Sequence, residues 1–430
     1  MRYEDTEATW LDHRTKGMPG GMAPTRLDAI GKQGWNLLRE DLPLPLAVLK
    51  ESALAHNGRW MRDFLTRSGA VIAPHGKTTM SPDLFGRQLD DGAWAITLAT
   101  VNQVQVARDF GFSRIILANQ LIGRQALRYV LDELRRDPQF EFFCLVDSSA
   151  GVAQIGDAVR RANIGRPLQV LLEGGFAGGR TGCRTEEDGL GVARAVKAAS
   201  PYLALRGVEG FEGMLHRDDP IESEAAVSMF LNFLVSLARQ CERDALFAEG
   251  EIILSAGGSR YYDMVVQRFG RAGLRTPVRV VTRSGCYLTH DSIMYHEAFQ
   301  ELLARSPDAA LAKPGLRPAL EVWAYVQSRP EPSKVVLTMG KRDISWDDPP
   351  VALKWFRPGD AEPNGMGSGH IVTNLNDQHC HMAVPSDSPL AVGDMVAFGI
   401  SHPCLTFDKW RVICLVDDAY NVTSAIRTYF

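Results

Sequence analysis

From about residue 70 to about residue 285 the chain repeats one pattern. A short run rich in β-branched, aliphatic or aromatic residues is followed by a longer stretch that mostly carries a helix-like pattern. The runs are AVIAP (70–74), WAITLA (94–99), RIILA (114–118), FFCLV (142–146), LQVLLE (168–173), GVEGF (207–211), EIILS (251–255) and VRVVT (278–282), eight in all. Val101 to Phe110 and Gly123 to Arg135 are examples of the intervening helical pattern. Strand and helix alternating eight times predict a closed (β/α)8 barrel, the TIM-barrel architecture, because each parallel crossover needs a helix of about this length. An open doubly wound sheet has similar content and stands as the alternative. Beyond about residue 315 the pattern changes to strand-like runs between Gly, Pro and Asp clusters: ALEVWAYVQSRP, SKVVLTMG, PLAVGDMVAFGIS and KWRVICLVDD. These predict a mostly β domain. The expected fold is α/β, with an N-terminal arm (1–45), a barrel (46–312) and a C-terminal mostly β domain (313–430). The arm carries no barrel-strand signal and is expected to pack on the barrel or to join the β domain.

The 430 residues accommodate this plan, since such a barrel takes ~250 residues as one unit. Lys and Arg total 47 against 51 Asp and Glu, and the net charge of −4 provides no broad basic field for nucleic acid or an anionic membrane. A small-molecule partner follows by default. The first ten residues carry acidic groups and no apolar core of the signal-peptide kind, and no run of ~18 apolar residues occurs, so a cytoplasmic location is expected. Seven cysteines, an odd number without CxxC pairs, argue against a disulfide framework and a structural zinc finger. A cysteine with a task here is a ligand or a reactive thiol.

In a barrel the C-terminal strand ends face the active site. The first run leads into PHGKTTMSP (74–82), which puts Lys77 just past a strand end. Desolvation there can free its amine to attack a carbonyl and form an imine; the bland alternative is a solvated surface lysine. The seventh and eighth runs lead into SAGGSRYYD (255–263) and RSGCYLTHD (283–291). Their glycines let the backbone approach an anion, and free amides with Ser255 can bond phosphate oxygens. Loops after strands 7 and 8 commonly hold phosphate in such barrels, although either loop alone reads equally well as a simple turn. Together with the lysine they describe a pocket for pyridoxal 5′-phosphate. The fifth run ends in EGGFAGGRTGCR (173–184), whose Arg180 or Arg184 can clamp a cofactor or a carboxylate. At the sixth strand end Phe211 offers a stacking ring, and Glu212 and His216 polar contacts. In the β domain His402 and Cys404 lie two residues apart, so on a strand both face one way and make a zinc pair. His379 and His381 share that spacing and are candidates for a further ligand.

At PHGKTTMSP the chain resembles the pyridoxal-phosphate enzymes of fold-type III, the alanine racemase-like group, and within it the D-serine dehydratase and D-threonine aldolase branch. The likeness continues through the glycine-arginine-cysteine loop at 178–183, the turns at 255–259 and 285–287, and the His402-x-Cys404 pair followed by Phe407 and Asp408. It implies a homodimer whose barrel carries the cofactor and whose β domain closes the site. Lys77 would bind pyridoxal phosphate covalently. Ser255, Gly257, Gly258, Gly285 and Cys286 would surround the phosphate, and His75, Arg180, Phe211 and Tyr287 would complete the cofactor's surroundings. His402 and Cys404 would hold a divalent metal beside the substrate. D-Serine dehydratases of the group carry His-x-Cys and zinc, whereas D-threonine aldolases usually carry His-x-Asp and a harder ion, so Cys404 tips the expectation toward dehydration. Relatives often read Lys-Thr-His-Lys where this chain has Lys77-Thr78-Thr79-Met80, and tyrosine where Phe211 stands. These departures imply a different substrate or an altered proton path.

The expected activity is therefore a pyridoxal-phosphate- and zinc-dependent lyase that converts a β-hydroxy D-amino acid, D-serine foremost, to a 2-oxo acid and ammonia. The same parts would serve a D-threonine or 3-hydroxy-D-aspartate aldolase that breaks the Cα–Cβ bond. A non-catalytic pyridoxal-phosphate carrier is usually a bare barrel, so the β domain counts against it. A metal-dependent barrel hydrolase would need ligands at strand ends, and His75, His216 and His290 are its candidates.

Overall fold

In the computed structural model, which describes residues 9–306 and 314–430, all eight predicted runs lie in one parallel sheet. The chain opens with a two-stranded hairpin, β1 (Trp10–Leu11) and β2 (Thr25–Arg26), followed by β3 (Leu46–Lys50) and α1 (Glu51–Ser68). The parallel strands are β4 (Val71–Ile72), β5 (Ile96–Leu98), β6 (Arg114–Gln120), β7 (Glu141–Val146), β8 (Leu168–Gly174), β9 (Leu203–Gly210), β10 (Ile252–Ala256) and β11 (Val278–Thr282). Strand β4 pairs with β11, and its other edge reaches β5 through a parallel bridge between His75 and Thr97. The amides of Trp94 and Thr97 donate to the carbonyls of Ile72 and Pro74 at 2.8 and 2.9 Å. The sheet thus closes on itself, which decides between barrel and open sheet.

The crossovers are α2 (Pro82–Asp90), α3 (Val101–Asp109), α4 (Arg124–Arg136), α5 (Ser149–Ala162), α6 (Glu186–Ala198), α7 (Pro220–Arg243) and α8 (Tyr262–Gly270), and α9 (Met294–Arg305) follows the last strand. Side-chain caps fix four of their starts: Thr100, Ser148, Thr185 and Asp219 accept from the amides of Gln103, Gly151, Asp188 and Ile221, contacts worth about 1 kcal/mol each. Among the described residues, α7 alone is long and apolar enough to cross a membrane. Here it buries Val227, Phe230, Leu231 and Leu234, and it packs against α6, α8 and β9 as a barrel helix.

The second sheet contains β12 (Leu320–Glu331), β13 (Lys334–Leu337), β14 (Val351–Phe356), β15 (Asn364–Gly365), β16 (Ile371–Leu375), β17 (Cys380–Ala383), β18 (Met395–Gly399), β19 (Val412–Val416) and β20 (Val422–Arg427). It also takes in β3, antiparallel to β12 and parallel to β19. Leu46–Lys50 was placed with the barrel by sequence and belongs instead to this sheet. Its residues 46–49 are all buried, the continuous apolar run of a strand covered on both faces. The expected boundary at 312/313 lies outside the described residues. The arm docks on the second sheet, where Asn36 bridges Asn421 and the Leu37 amide donates to the Tyr420 carbonyl at 3.1 Å.

Candidate active site at the barrel mouth

The barrel interior changes character along its axis. Ala73, Ala95, Ile116, Phe143, Leu145, Leu171, Ile253 and Val281 form a separate apolar cluster inside it. Side chains two residues apart on a strand share a face, so the inward row continues from Leu171 to Glu173 and from Ile253 to Ser255. The register joins Glu173 to Glu209 and Glu209 to Ser255, and Ser255 to Val281, in one layer. Polar groups thus replace aliphatic ones where the strands end. Above them lies a cavity of roughly 220 Å³ whose lining includes Lys77, His75, Arg180, Phe211 and the Gly257–Gly258 turn.

Three charged residues of this lining were not singled out by sequence: Glu173, Glu209 and Arg283. Arg283 forms an ion pair with Glu209 at 2.5 Å and donates to the Gly210 carbonyl at 2.9 Å. Burial pushes the Glu209 carboxyl up to about 8, against the pull of Arg283. Burial also raises Glu173, which accepts hydrogen bonds from Thr181 and Gln120. His75 is held well below the usual imidazole range by burial, and next by the charges of Lys77, Arg283 and Arg180. The cavity therefore meets a ligand with a neutral imidazole, and the buried His75 Nδ1 has no hydrogen-bond partner.

Lys77 projects from a short 3₁₀ turn, Gly76–Thr78, directly after the first barrel strand; it is exposed to the cavity while Thr78 is buried. The turn rests on Gly285. A Cβ there would lie 2.5 Å from the His75 carbonyl oxygen and 2.8 Å from Thr78 Oγ1. Gly285→Ala is expected to force the lysine turn outward at a cost of about 1–3 kcal/mol, with a lower Tm and weaker cofactor retention. Unchanged melting and retention would show that the turn is not seated this way.

The other glycine turn behaves differently from expectation. Gly257, at φ +94°, and Gly258 do cradle an anion, but it is the carboxylate of Glu212, which accepts from their amides at 3.0 and 2.8 Å. A phosphate would bind beside Glu212 or displace it. Ser255 Oγ, buried at the end of β10, has no partner. Arg180 lies over the Phe211 ring at 4.4 Å from its centroid, whereas Arg184 spends its donors on the carbonyls of Gly179, Arg180, Thr181 and Gly182 and staples the loop. Tyr287 points away from the cavity, buried, with its hydroxyl on Gln88 of α2.

These residues fit pyridoxal phosphate. An amine stands at the rim, Phe211 and Arg180 offer a stacking surface, and buried unpartnered polar atoms remain on His75, Ser255 and Arg283 (Nε). The amides of Gly257 and Gly258 are committed to Glu212, so the phosphate cradle is narrower than the motif suggested.

The second domain brings its own chemistry to the same rim. Cys404 opens a helical turn, Cys404–Phe407, that packs on the lysine turn, and its Sγ lies 3.4 Å from Thr78 Oγ1. His402 Nδ1 is hydrogen-bonded to the carboxylate of Asp347, which leaves Nε2 as its ligand atom. Hydrogen bonding to Cys404 and to Asp347 raises His402 to about 9. The Cys404 thiol is lowered, first by its bond with Cys286 and then by those with His402 and Thr78, while the Cys286 thiol is raised. An imidazole steered by a carboxylate, beside a thiolate, fits a catalytic zinc that keeps open positions. Among the described residues no third His, Cys, Asp or Glu completes a ligand set. His381 bonds Asn376, His216 bonds Tyr261, and His290 is buried against Phe299, so none of them joins this pair, and the three-histidine hydrolase site does not form.

Comparison with known proteins agrees with this architecture. Residues 319–416 match the family described as "Putative serine dehydratase domain". The chain is 25% identical over 376 residues to the D-threonine aldolase of an Arthrobacter species, covering 87% of this chain and 89% of that protein. It superposes on the crystal structure of D-threonine aldolase from Filomicrobium marinum with a TM-score of 0.74 at 21% identity, covering 94% of this chain and 98% of that one. The D-threo-3-hydroxyaspartate dehydratase from Delftia sp. HT23 gives a TM-score of 0.71 at 20% identity, over 92% and 99%. Fold and site together define the alanine racemase-like class, the fold-type III pyridoxal-phosphate enzymes. Within that class the chain is similar in sequence to proteins named D-threonine aldolase and 3-hydroxy-D-aspartate aldolase, both lyases.

Proposed function

We propose that the chain is a pyridoxal-phosphate- and zinc-dependent D-serine dehydratase, releasing ammonia and a 2-oxo acid from a small β-hydroxy D-amino acid. One observation carries this reading: the 3.4 Å contact between Thr78 and Cys404, which sets a soft imidazole–thiolate pair one residue from the barrel lysine. Bound at the barrel mouth by Lys77, His75, Ser255, Arg180 and Phe211, pyridoxal phosphate would supply an electron sink for charge at the substrate α-carbon. Zinc held by His402 and Cys404 would supply Lewis acidity toward the β-hydroxyl.

The chain's own residues set the rest. Lys77 moves the α-proton, being the flexible amine of the rim. Arg180 offers a fork-shaped cation to the substrate carboxylate, and its guanidinium rests over the Phe211 ring. The buried Glu209–Arg283 pair fixes the cavity floor, and the neutral His75 adds no charge to it. Asp347 orients the His402 ring.

The test is a panel of D- and L-hydroxy amino acids assayed for both ammonia and aldehyde. D-serine is expected to be turned over faster than L-serine, with ammonia exceeding aldehyde. Aldehyde as the dominant product from D-threonine would make the chain an aldolase, like its Arthrobacter relative by name. Faster turnover of L-serine would overturn the assignment.

A further inference from the structure

The sulfur atoms of Cys286 and Cys404 lie 4.0 Å apart, across the seam between barrel and second domain. The two are not joined as a disulfide, and the mechanism above uses only Cys404. We propose that these two cysteines form a reversible disulfide that withdraws Cys404 from metal binding, so that the site is switched off by thiol oxidants.

Geometry supports the pair. A disulfide needs its sulfurs at ~2.05 Å, so the gap closes by about 2 Å, within the reach of side-chain rotation shared between two residues. Both sit on turns rather than inside strands: Cys286 in the turn after β11, Cys404 at the start of its helical turn. The Thr78 hydroxyl touches both sulfurs, at 3.8 Å from Cys286 and 3.4 Å from Cys404, and no side chain stands between them. Access is unequal. Cys286 is 4% exposed and Cys404 half-buried, so oxidant enters at Cys404. The other five cysteines are buried.

With a small-molecule disulfide such as oxidised glutathione, the step balances as follows. The Cys404 thiolate attacks one sulfur of the oxidant and expels a thiolate. The Cys286 thiol gives its proton to solvent and attacks the Cys404 sulfur of the mixed disulfide, expelling the second thiolate. Two protein thiols lose two electrons and two protons; the oxidant becomes two thiols. A dithiol reductant reverses the exchange.

The disulfide does not depend on the functional reading; the metal consequence rests on it, and the two are read separately. Zinc-loaded protein is titrated with oxidised glutathione while free thiols, released zinc and intact mass are followed, and a non-reducing peptide map locates the link. The expected result is loss of two thiols per chain, a mass lower by about 2 Da, a peptide joining Cys286 to Cys404, and zinc release in step with it. Dithiothreitol restores all four. Cys286→Ser is expected to remove the linked peptide and to stop at a Cys404–glutathione adduct. A map of the unsubstituted protein showing Cys286 free while Cys404 is oxidised would overturn the proposal, whatever the variant does. Formation of the link without any zinc having been bound would leave the disulfide standing and remove the metal assignment.

Discussion

Lys77→Ala is expected to abolish lyase activity and to remove the visible absorbance of covalently bound pyridoxal phosphate. The loss of proton transfer alone accounts for a fall of about 10²–10⁴-fold, and the loss of the covalent anchor adds to it. Stability should hardly change. Lys77 is exposed on the lip of the cavity, and truncating a residue of that kind costs within about 0.5 kcal/mol. The variant's melting curve should therefore overlay that of the parent while its spectrum does not. Borohydride reduction of the parent followed by peptide mapping supplies the direct check. A pyridoxyl group found on any lysine but Lys77 would dismantle the site, because the turn held between His75, Thr78 and Gly285 would then not present the anchoring amine.

The barrel was legible in the sequence because its signal repeats. A run such as EIILS must be apolar on both faces to sit between a packed interior and a shell of helices, and eight such runs leave little else to build. Leu46–Lys50 carries the same apolar signature, and nothing local says which sheet it joins; its pairing with β12 is a contact between residues some 270 positions apart in the chain. The short strands β14 and β16 were missed for a related reason. Burial along β16 reads exposed, buried, exposed, exposed, buried, so no clean period of two marks it. At the site, glycine and lysine motifs stood out because their spacing is unusual. Glu173, Glu209 and Arg283 did not, although each lies two residues beyond an inward position, at Leu171, Gly207 and Val281, and a charge there has no apolar excuse. Following the inward row one step further would have found them. Glu212 was named only as a polar contact. Its grip on the Gly257 and Gly258 amides depends on how the strand-six and strand-seven loops meet, which no local pattern encodes.

The metal pair gives the other large effect. Chelation is expected to remove activity and leave the Lys77 absorbance intact, because Lys77 stands on the barrel and His402 and Cys404 on the second domain, joined at the Thr78–Cys404 contact. Cys404→Asp tests the identity of the metal. A carboxylate keeps a negative ligand in place, and Asp347 still holds the His402 ring, so binding survives. Its hardness changes: zinc should bind more weakly, and manganese or magnesium should restore activity more effectively than in the parent. A harder ion leaves the β-hydroxyl less ready to depart, and the product balance should move from ammonia toward aldehyde. Metal content by elemental analysis and the two product assays read these effects independently. Full activity in excess chelator, from a protein with no stoichiometric metal, would overturn the assignment of His402 and Cys404 and return the choice between dehydratase and aldolase to the residues of the barrel alone.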